Sequence, residues 1–305
     1  MSYTVREIND EVNSNRKLAV ERAENKYKEN IKKIVKRVLK SNIKLIMLAG
    51  PSASGKTTTA HILRDMLRLE GKKSYVMSLD DFYLTPDKMP RQANGEPDFE
   101  SVYSLDVKGI NEALNDICDG KECSLPVFSF NSRKPSVARK IIDAGVNRIV
   151  IVEGLHALNP VLLQHLNKDE IFKIYIGTTD DIVDNGEVLI YHKNIRLIRR
   201  MTRDIFYRNT SVEQTFTLWK NVVVGENKNL KPYKPTADCV FDTFHKYELL
   251  VYKPIICKYL NEVKKNSEHY DLAQSLLNAL CRFGELDTSI VPQDSVIREF
   301  IPKDN

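Results

Sequence analysis

The stretch Gly50-Pro-Ser-Ala-Ser-Gly-Lys-Thr57 constrains this 305-residue chain more than any other. Two glycines separated by four residues, with Lys-Thr directly after the second, match the spacing of a phosphate-binding loop. Glycine lets the backbone turn tightly, so that successive N–H groups point inward and form a nest for an anion. A helix starting directly behind the loop adds the positive end of its dipole to the same field. The spacing predicts that Gly50, Ser52, Ala53, Ser54, Gly55, Lys56, Thr57 and Thr58 surround the phosphates of a nucleotide. Lys56 should reach the β- and γ-phosphates, and the Thr57 hydroxyl should meet Mg2+.

The flanking pattern agrees. Ile43–Ala49 is a short, nearly continuous apolar run, as expected of a strand buried on both faces. A helical stretch follows and ends at Gly71, and Ser74–Leu79, Arg148–Gly154 and Phe172–Gly177 read as further buried strands. Helical segments separate them at Val107–Ile117 and Pro160–Leu166. This alternation predicts an α/β fold of the P-loop NTPase type, a parallel sheet flanked by helices. The last third reads as a helical lobe, with helices expected over Ile195–Arg208, Ser211–Val223, Glu248–Val263 and Leu272–Phe283.

Ahead of the first strand, Ala19, Ala23, Tyr27, Ile31, Ile34, Val35 and Val38 recur at three- and four-residue steps over Leu18–Leu39, an amphipathic helix. Residues 1–44 carry twelve Lys/Arg against six Asp/Glu, so the net charge of +5 resides in this segment. Two readings remain open, a helix lying on the body or a contact arm for an acidic partner. No aromatic platform is interleaved with the charges, which disfavours nucleic acid. The expected organisation is an N-terminal basic helical extension, 1–42, and a P-loop domain, 43–305, containing an arginine-bearing lid at about 190–210.

No apolar run approaches the ~20 residues of a membrane span, and the N-terminus lacks the apolar core of a secretory signal. The five cysteines have neither metal-ligand nor redox-motif spacing. A cytoplasmic protein without membrane contact is therefore expected, with homo-oligomerisation left open.

Three further groups carry chemistry. Asp80 and Asp81 follow the second strand, at the sheet end where open α/β sheets bind ligands. A carboxylate there can take a proton or hold metal, although Asp after a strand is also a common cap. Glu153 ends an apolar strand and could hold Mg2+ opposite Thr57, or cap the next turn. Arg196, Arg199, Arg200, Arg203 and Arg208 crowd into thirteen residues, the first four at helical spacing. Guanidinium groups stabilise the charge of a moving phosphoryl group, and a mobile arginine-bearing lid would exclude water. The plain alternative is a solvated helix.

The order GPSASGKTT, SLDDFY, PDFES, LPVFSFNSRK, IVEGLHAL and RLIRRMTRD resembles the uridine kinase/phosphoribulokinase-like family of P-loop kinases, and most nearly its bacterial nucleoside kinase branch. The resemblance runs from about Ile43 to Pro302. It implies ATP- and Mg2+-dependent transfer of the γ-phosphate to the 5′-hydroxyl of a nucleoside, uridine or cytidine, in pyrimidine salvage. It further implies Asp80 as the base at that hydroxyl and a metal-site neighbour, Tyr83 lining the acceptor pocket and Glu100 on the ribose hydroxyls. Phe128 and Asn131 match the region that reads the base, with Arg133 near the phosphates, Arg200 and Arg203 as catalytic lid arginines, and Arg203 and Arg208 toward ATP. The base-reading positions depart from relatives: Asn131 stands where a His is usual, Leu218 falls near a Gln position, and VVVGE (Val222–Glu226) replaces an Arg-bearing motif. Other acceptors, namely a phosphorylated sugar or a pantothenate-like molecule, and a nucleotide-dependent regulatory protein are the alternatives.

Overall fold

The computed structural model describes residues 2–129, 134–145 and 147–303. Five parallel strands form the central sheet: β1 (Leu45–Ala49), β2 (Lys73–Ser78), β3 (Arg148–Gly154), β4 (Ile171–Gly177) and β5 (Cys239–Asp242), in the order β5-β4-β1-β3-β2. Every residue of β1 and of β3 is buried, which explains their unbroken apolar character. Alternation assigns the two faces. Ile46 and Leu48 join one core, while Leu45, Met47 and Ala49 join the other. The register sets Leu48 beside Glu153 and Ser78 beside Glu153 on its other side, so three strands end together.

The expected strands are present with boundaries shifted by one or two residues. The edge strand β5 was not anticipated from sequence. Its middle residues alternate between exposed and buried, so it lacks the continuous apolar run that marks the inner strands.

Helix α3 (Lys56–Leu69) leaves the phosphate loop directly. Helix α4 (Val107–Cys118) covers the opposite face through Ile110, Ala113, Leu114 and Ile117. Helices α5 (His192–Tyr207), α6 (Val212–Asn229), α7 (Glu248–Asn261) and α8 (Tyr270–Leu280) form the C-terminal lobe. No helix of the described residues is long and apolar enough to cross a membrane.

Two helices precede the sheet. α1 (Val5–Ser14) escaped the periodicity reading because it is short and polar, but Thr4 and Glu7 close a reciprocal capping box at its start. Tyr3 and Thr4 also pair in parallel with Ile182 and Val183. α2 (Arg16–Leu39) buries Ala19, Val20, Tyr27, Ile31, Ile34, Val35 and Val38, and these side chains belong to the same core cluster as Ile46 and Leu48 of β1. Its lysine-rich face, including Lys36, points to solvent. Ile31 is fully buried, so Ile31→Ala should cost about 2–5 kcal/mol. Lys36→Ala should stay within about 0.5 kcal/mol. Urea unfolding of the two variants tests this, and equal midpoints would contradict an α2 that is part of the main core.

Candidate active site

The loop between β1 and α3 has two left-handed positions, Ala53 with φ 57° and Gly55 with φ 82°. Gly50 has no room for a side chain, since a Cβ there would collide with the carbonyl oxygen of Ile176 on β4. These constraints curl residues 52–58 around one wall of a cavity of about 430 Å³. Lys56 Nζ reaches back across the loop and donates to the Pro51 carbonyl at 3.1 Å. The Ser54 hydroxyl is buried with no partner among the described residues, as a loop built to meet a ligand would leave it.

Two carboxyl groups face the loop from the ends of neighbouring strands. Glu153 Oε1 accepts from the Ser78 hydroxyl at 2.7 Å and from the Thr57 hydroxyl at 3.3 Å. Asp80 lies in the single helical turn after β2, Leu79–Phe82. Burial raises the Asp80 carboxyl above its usual range, opposed first by Lys56 and then by Arg208. Burial likewise raises Glu153, and repulsion from Asp80 adds to it. Asp81 turns away: its carboxylate accepts from Lys140 Nζ at 2.6 Å and from the Phe128 amide at 3.1 Å. The adjacent aspartates, indistinguishable by residue type, thus face different tasks.

Tyr83 and Glu100 line the same cavity. Burial, reinforced by Glu226, pushes the Glu100 carboxyl up to about 7. The Phe128 ring lies 5.8 Å from the Tyr83 ring and forms an aromatic side to that region. Asn131 and Arg133 lie outside the described residues.

The arginine helix divides its residues. Arg200, Arg203 and Arg208 line the cavity and share one buried carboxylate, Asp204, at 3.3, 2.8 and 3.5 Å. Arg200 also donates to the Ser52 hydroxyl at 2.9 Å. Arg196 and Arg199 leave the cavity. Arg196 makes a two-pronged pair with Glu226 at 2.7 and 2.8 Å and donates to the Ser52 carbonyl. Arg199 is wholly buried against Glu248 at 2.8 Å and donates to Thr243. The expected basic stripe is therefore divided between the cavity and the core. α5 buries Ile195, Leu197, Ile198, Met201 and Thr202 along with those two arginines, and its Arg200 and Arg203 form part of the cavity wall.

Sequence reasoning missed Glu226, Asp204, Glu299 and Leu155, all close to the cavity or its arginines. Asp204 was accessible, because it stands four residues from both Arg200 and Arg208. Glu226 gave no such sign. Its carboxylate accepts from the Ser52 amide at 3.0 Å across 174 residues of chain.

Among the described residues no group of three or more His, Cys, Asp or Glu could hold a metal on its own. Thr57, Glu153 and Asp80 instead offer a hydroxyl and two carboxylates beside the loop, all hard oxygen donors. That set fits Mg2+, which keeps water and substrate oxygens in its shell and needs few protein ligands.

Residues 45–249 match the model of the phosphoribulokinase / uridine kinase family. A uridine kinase of Lactobacillus johnsonii is 28% identical over 197 residues, covering 64% of this chain and 84% of that protein. Uridine-cytidine kinase B of Dictyostelium discoideum is 26% identical over 235 residues, covering 77% and 88%. Among solved structures, a possible uridine kinase from Bacillus stearothermophilus aligns with a TM-score of 0.46 at 20% identity, covering 70% of this chain and 98% of that one. With its phosphate loop, parallel sheet and arginine-lined cavity, the chain belongs to the phosphoribulokinase/uridine kinase family, whose members are phosphotransferases acting on hydroxyl acceptors.

Proposed function

We propose that this small-molecule kinase transfers the γ-phosphate of ATP, with Mg2+, to the 5′-hydroxyl of a nucleoside, uridine or cytidine, as a step of pyrimidine salvage in the cytoplasm. The observation that carries the reading is one cavity holding both halves of the chemistry. Loop residues 52–58 and three arginines form its phosphate side, and Asp80, Tyr83 and Glu100 form an acceptor side.

Asp80 is a carboxyl group held near cationic side chains in a poorly solvated place, suited to accept the hydroxyl proton as the oxygen attacks. Lys56 and the loop amides hold the donor phosphates, and Arg200, Arg203 and Arg208 meet the charge that spreads over the transferred group. Asp204 keeps those guanidinium groups aimed, so little ordering remains to be done at the moment of reaction. Mg2+, held by Thr57 and Glu153 with Asp80 alongside, would supply Lewis-acid neutralisation of the phosphate oxygens. Glu100 suits the paired hydroxyls of a ribose, which donate hydrogen bonds to a carboxylate. Tyr83 and Phe128 offer aromatic surface to a base.

A second reading, an acidic or phosphorylated acceptor, has one observation in its favour. A neighbouring cavity of about 540 Å³ shares Thr57, Asp80, Glu153 and Arg208 with the first and adds His61, Arg64, Arg68 and Lys140. These cations are already engaged in part: Lys140 pairs with Asp81, Arg64 with Asp65, and Arg68 donates to the Ser74 carbonyl. That weakens the second reading relative to the first.

Three outcomes are expected. ADP formation should need Mg2+ and rise strongly with uridine or cytidine, and not with ribulose 5-phosphate, pantothenate or no acceptor; stimulation by a phosphorylated sugar alone would favour the second reading. Asp80→Asn should lower kcat by about 10²–10⁴-fold while ATP affinity holds, and Lys56→Ala should weaken ATP binding and turnover together. Near-normal turnover of Asp80→Asn would remove the base assignment.

The third outcome concerns pH. Glu100 titrates near 7 when folded and near its ordinary 4.5 when unfolded, so the folded protein binds the extra proton between these values. The protein should therefore lose stability as pH rises from about 4.5 to 7, and Glu100→Gln should remove only its share of that slope, since Glu153 and Glu248 are raised likewise. Nucleoside affinity should move oppositely, rising as Glu100 ionises. Melting curves and acceptor KM across this range test both signs.

A further inference from the structure

Two stretches lie outside the family-matched residues 45–249, the helices before it and the chain after it, and both reach the phosphate loop from behind. Tyr27 of α2 places its hydroxyl 2.7 Å from the Thr59 hydroxyl on α3, and both residues are buried. Thr59 in turn donates to the Gly55 carbonyl at 2.6 Å. Its single proton is committed there, so Tyr27 is the donor in the first bond. Gly55 is the left-handed residue at which the loop becomes helix, and it opposes the side chain of Val296 from the C-terminal stretch. One turn before Tyr27, buried Glu24 accepts from the hydroxyls of Tyr247 and Ser295, each at 2.6 Å. Ser295 precedes Val296, so the same network seats the residue that abuts Gly55. Thr58 then donates to Glu299 at 2.6 Å, a second tie from that stretch to the start of α3.

We propose that Tyr27 and Thr59 are positioning residues for the phosphate loop, and that the segments flanking the family-matched region complete the nucleotide site by bracing Gly55 from behind. The inference rests on the nucleotide-binding reading of that loop. Neither residue lines the cavity, so neither touches a ligand; their effect passes through the Gly55 carbonyl. A loop held in one curl presents its amides to phosphate without ordering cost, whereas a released one spends part of the binding free energy on ordering.

The test measures ATP affinity by calorimetry, and KM for ATP and acceptor separately, on the full chain. The variants are Tyr27→Phe, Thr59→Val, the two combined, Thr59→Ser and, as a control, Val38→Ala. Tyr27→Phe keeps the ring and removes only the hydroxyl, so it should fold. It should weaken ATP binding about three- to tenfold, the effect of one buried hydrogen bond. Thr59→Val should do at least as much, the double variant no more than Thr59→Val alone, and Thr59→Ser should restore affinity. Val38→Ala removes fully buried surface three turns away and should lower Tm with ATP affinity within about twofold of the parent. Unchanged ATP affinity in Tyr27→Phe, strictly additive losses, or an equal loss in Val38→Ala would overturn the brace. An unaltered chain that binds no ATP would overturn the nucleotide reading and the brace with it.

Discussion

The turn at residues 50–58 depends on a buried pair of charges, Arg196 and Glu226, both almost inaccessible to water. Two charges removed from water repay their desolvation only when geometry and hydrogen bonding are nearly complete. Here the carboxylate takes two guanidinium bonds and the Ser52 amide, while the guanidinium also donates to the Ser52 carbonyl and sits 5.2 Å from the Trp219 ring. The pair therefore grips the loop backbone by both its donor and its acceptor. Its contribution is placement more than stability, because an apolar pair of equal volume could pack the same space and hold no backbone.

A second buried pair, Arg199 with Glu248, repeats this arrangement one turn along α5 and ties the C-terminal lobe to Thr243 beyond β5. With two of five arginines committed to structure, the remaining three can converge on Asp204 at the cavity edge. Loop, wall and lobe thus lock together through charges that are almost wholly buried. This also separates places along one helix: residues at similar spacing are buried anchors or line the cavity according to what lies opposite them.

The carboxyl groups of the cavity follow a different logic. Asp80, Glu153 and Glu100 are carboxyl groups drawn into a small volume, each raised mainly by burial and then by a neighbouring carboxylate. Asp81 repels Asp80, Asp80 repels Glu153, and Glu226 repels Glu100, while Lys56 offsets part of each. Such a cluster costs stability and is tolerated where binding supplies the missing partners, as the partnerless Ser54 hydroxyl also suggests.

The phosphate loop, four of the five sheet strands, α3 and the helical C-terminal third were legible in the residues alone, because hydrophobic period and glycine spacing are local properties that the backbone must obey. Asp80 could be singled out only through family resemblance, since Asp81 beside it has the same chemistry until Lys140 and the Phe128 amide claim it. The edge strand β5 and helix α1 escaped, one too short and half-exposed, the other carrying only three apolar residues at helical spacing, Val5, Ile8 and Val12. What the chain could not disclose by itself was pairing across distance. That Arg196 and Arg199 are anchors, that Glu226 reaches Ser52, and that Tyr27 stands behind Gly55 were decided by tertiary structure alone. A charge or hydroxyl reads the same in sequence whether it faces water, a ligand or a buried partner, and only the folded chain says which.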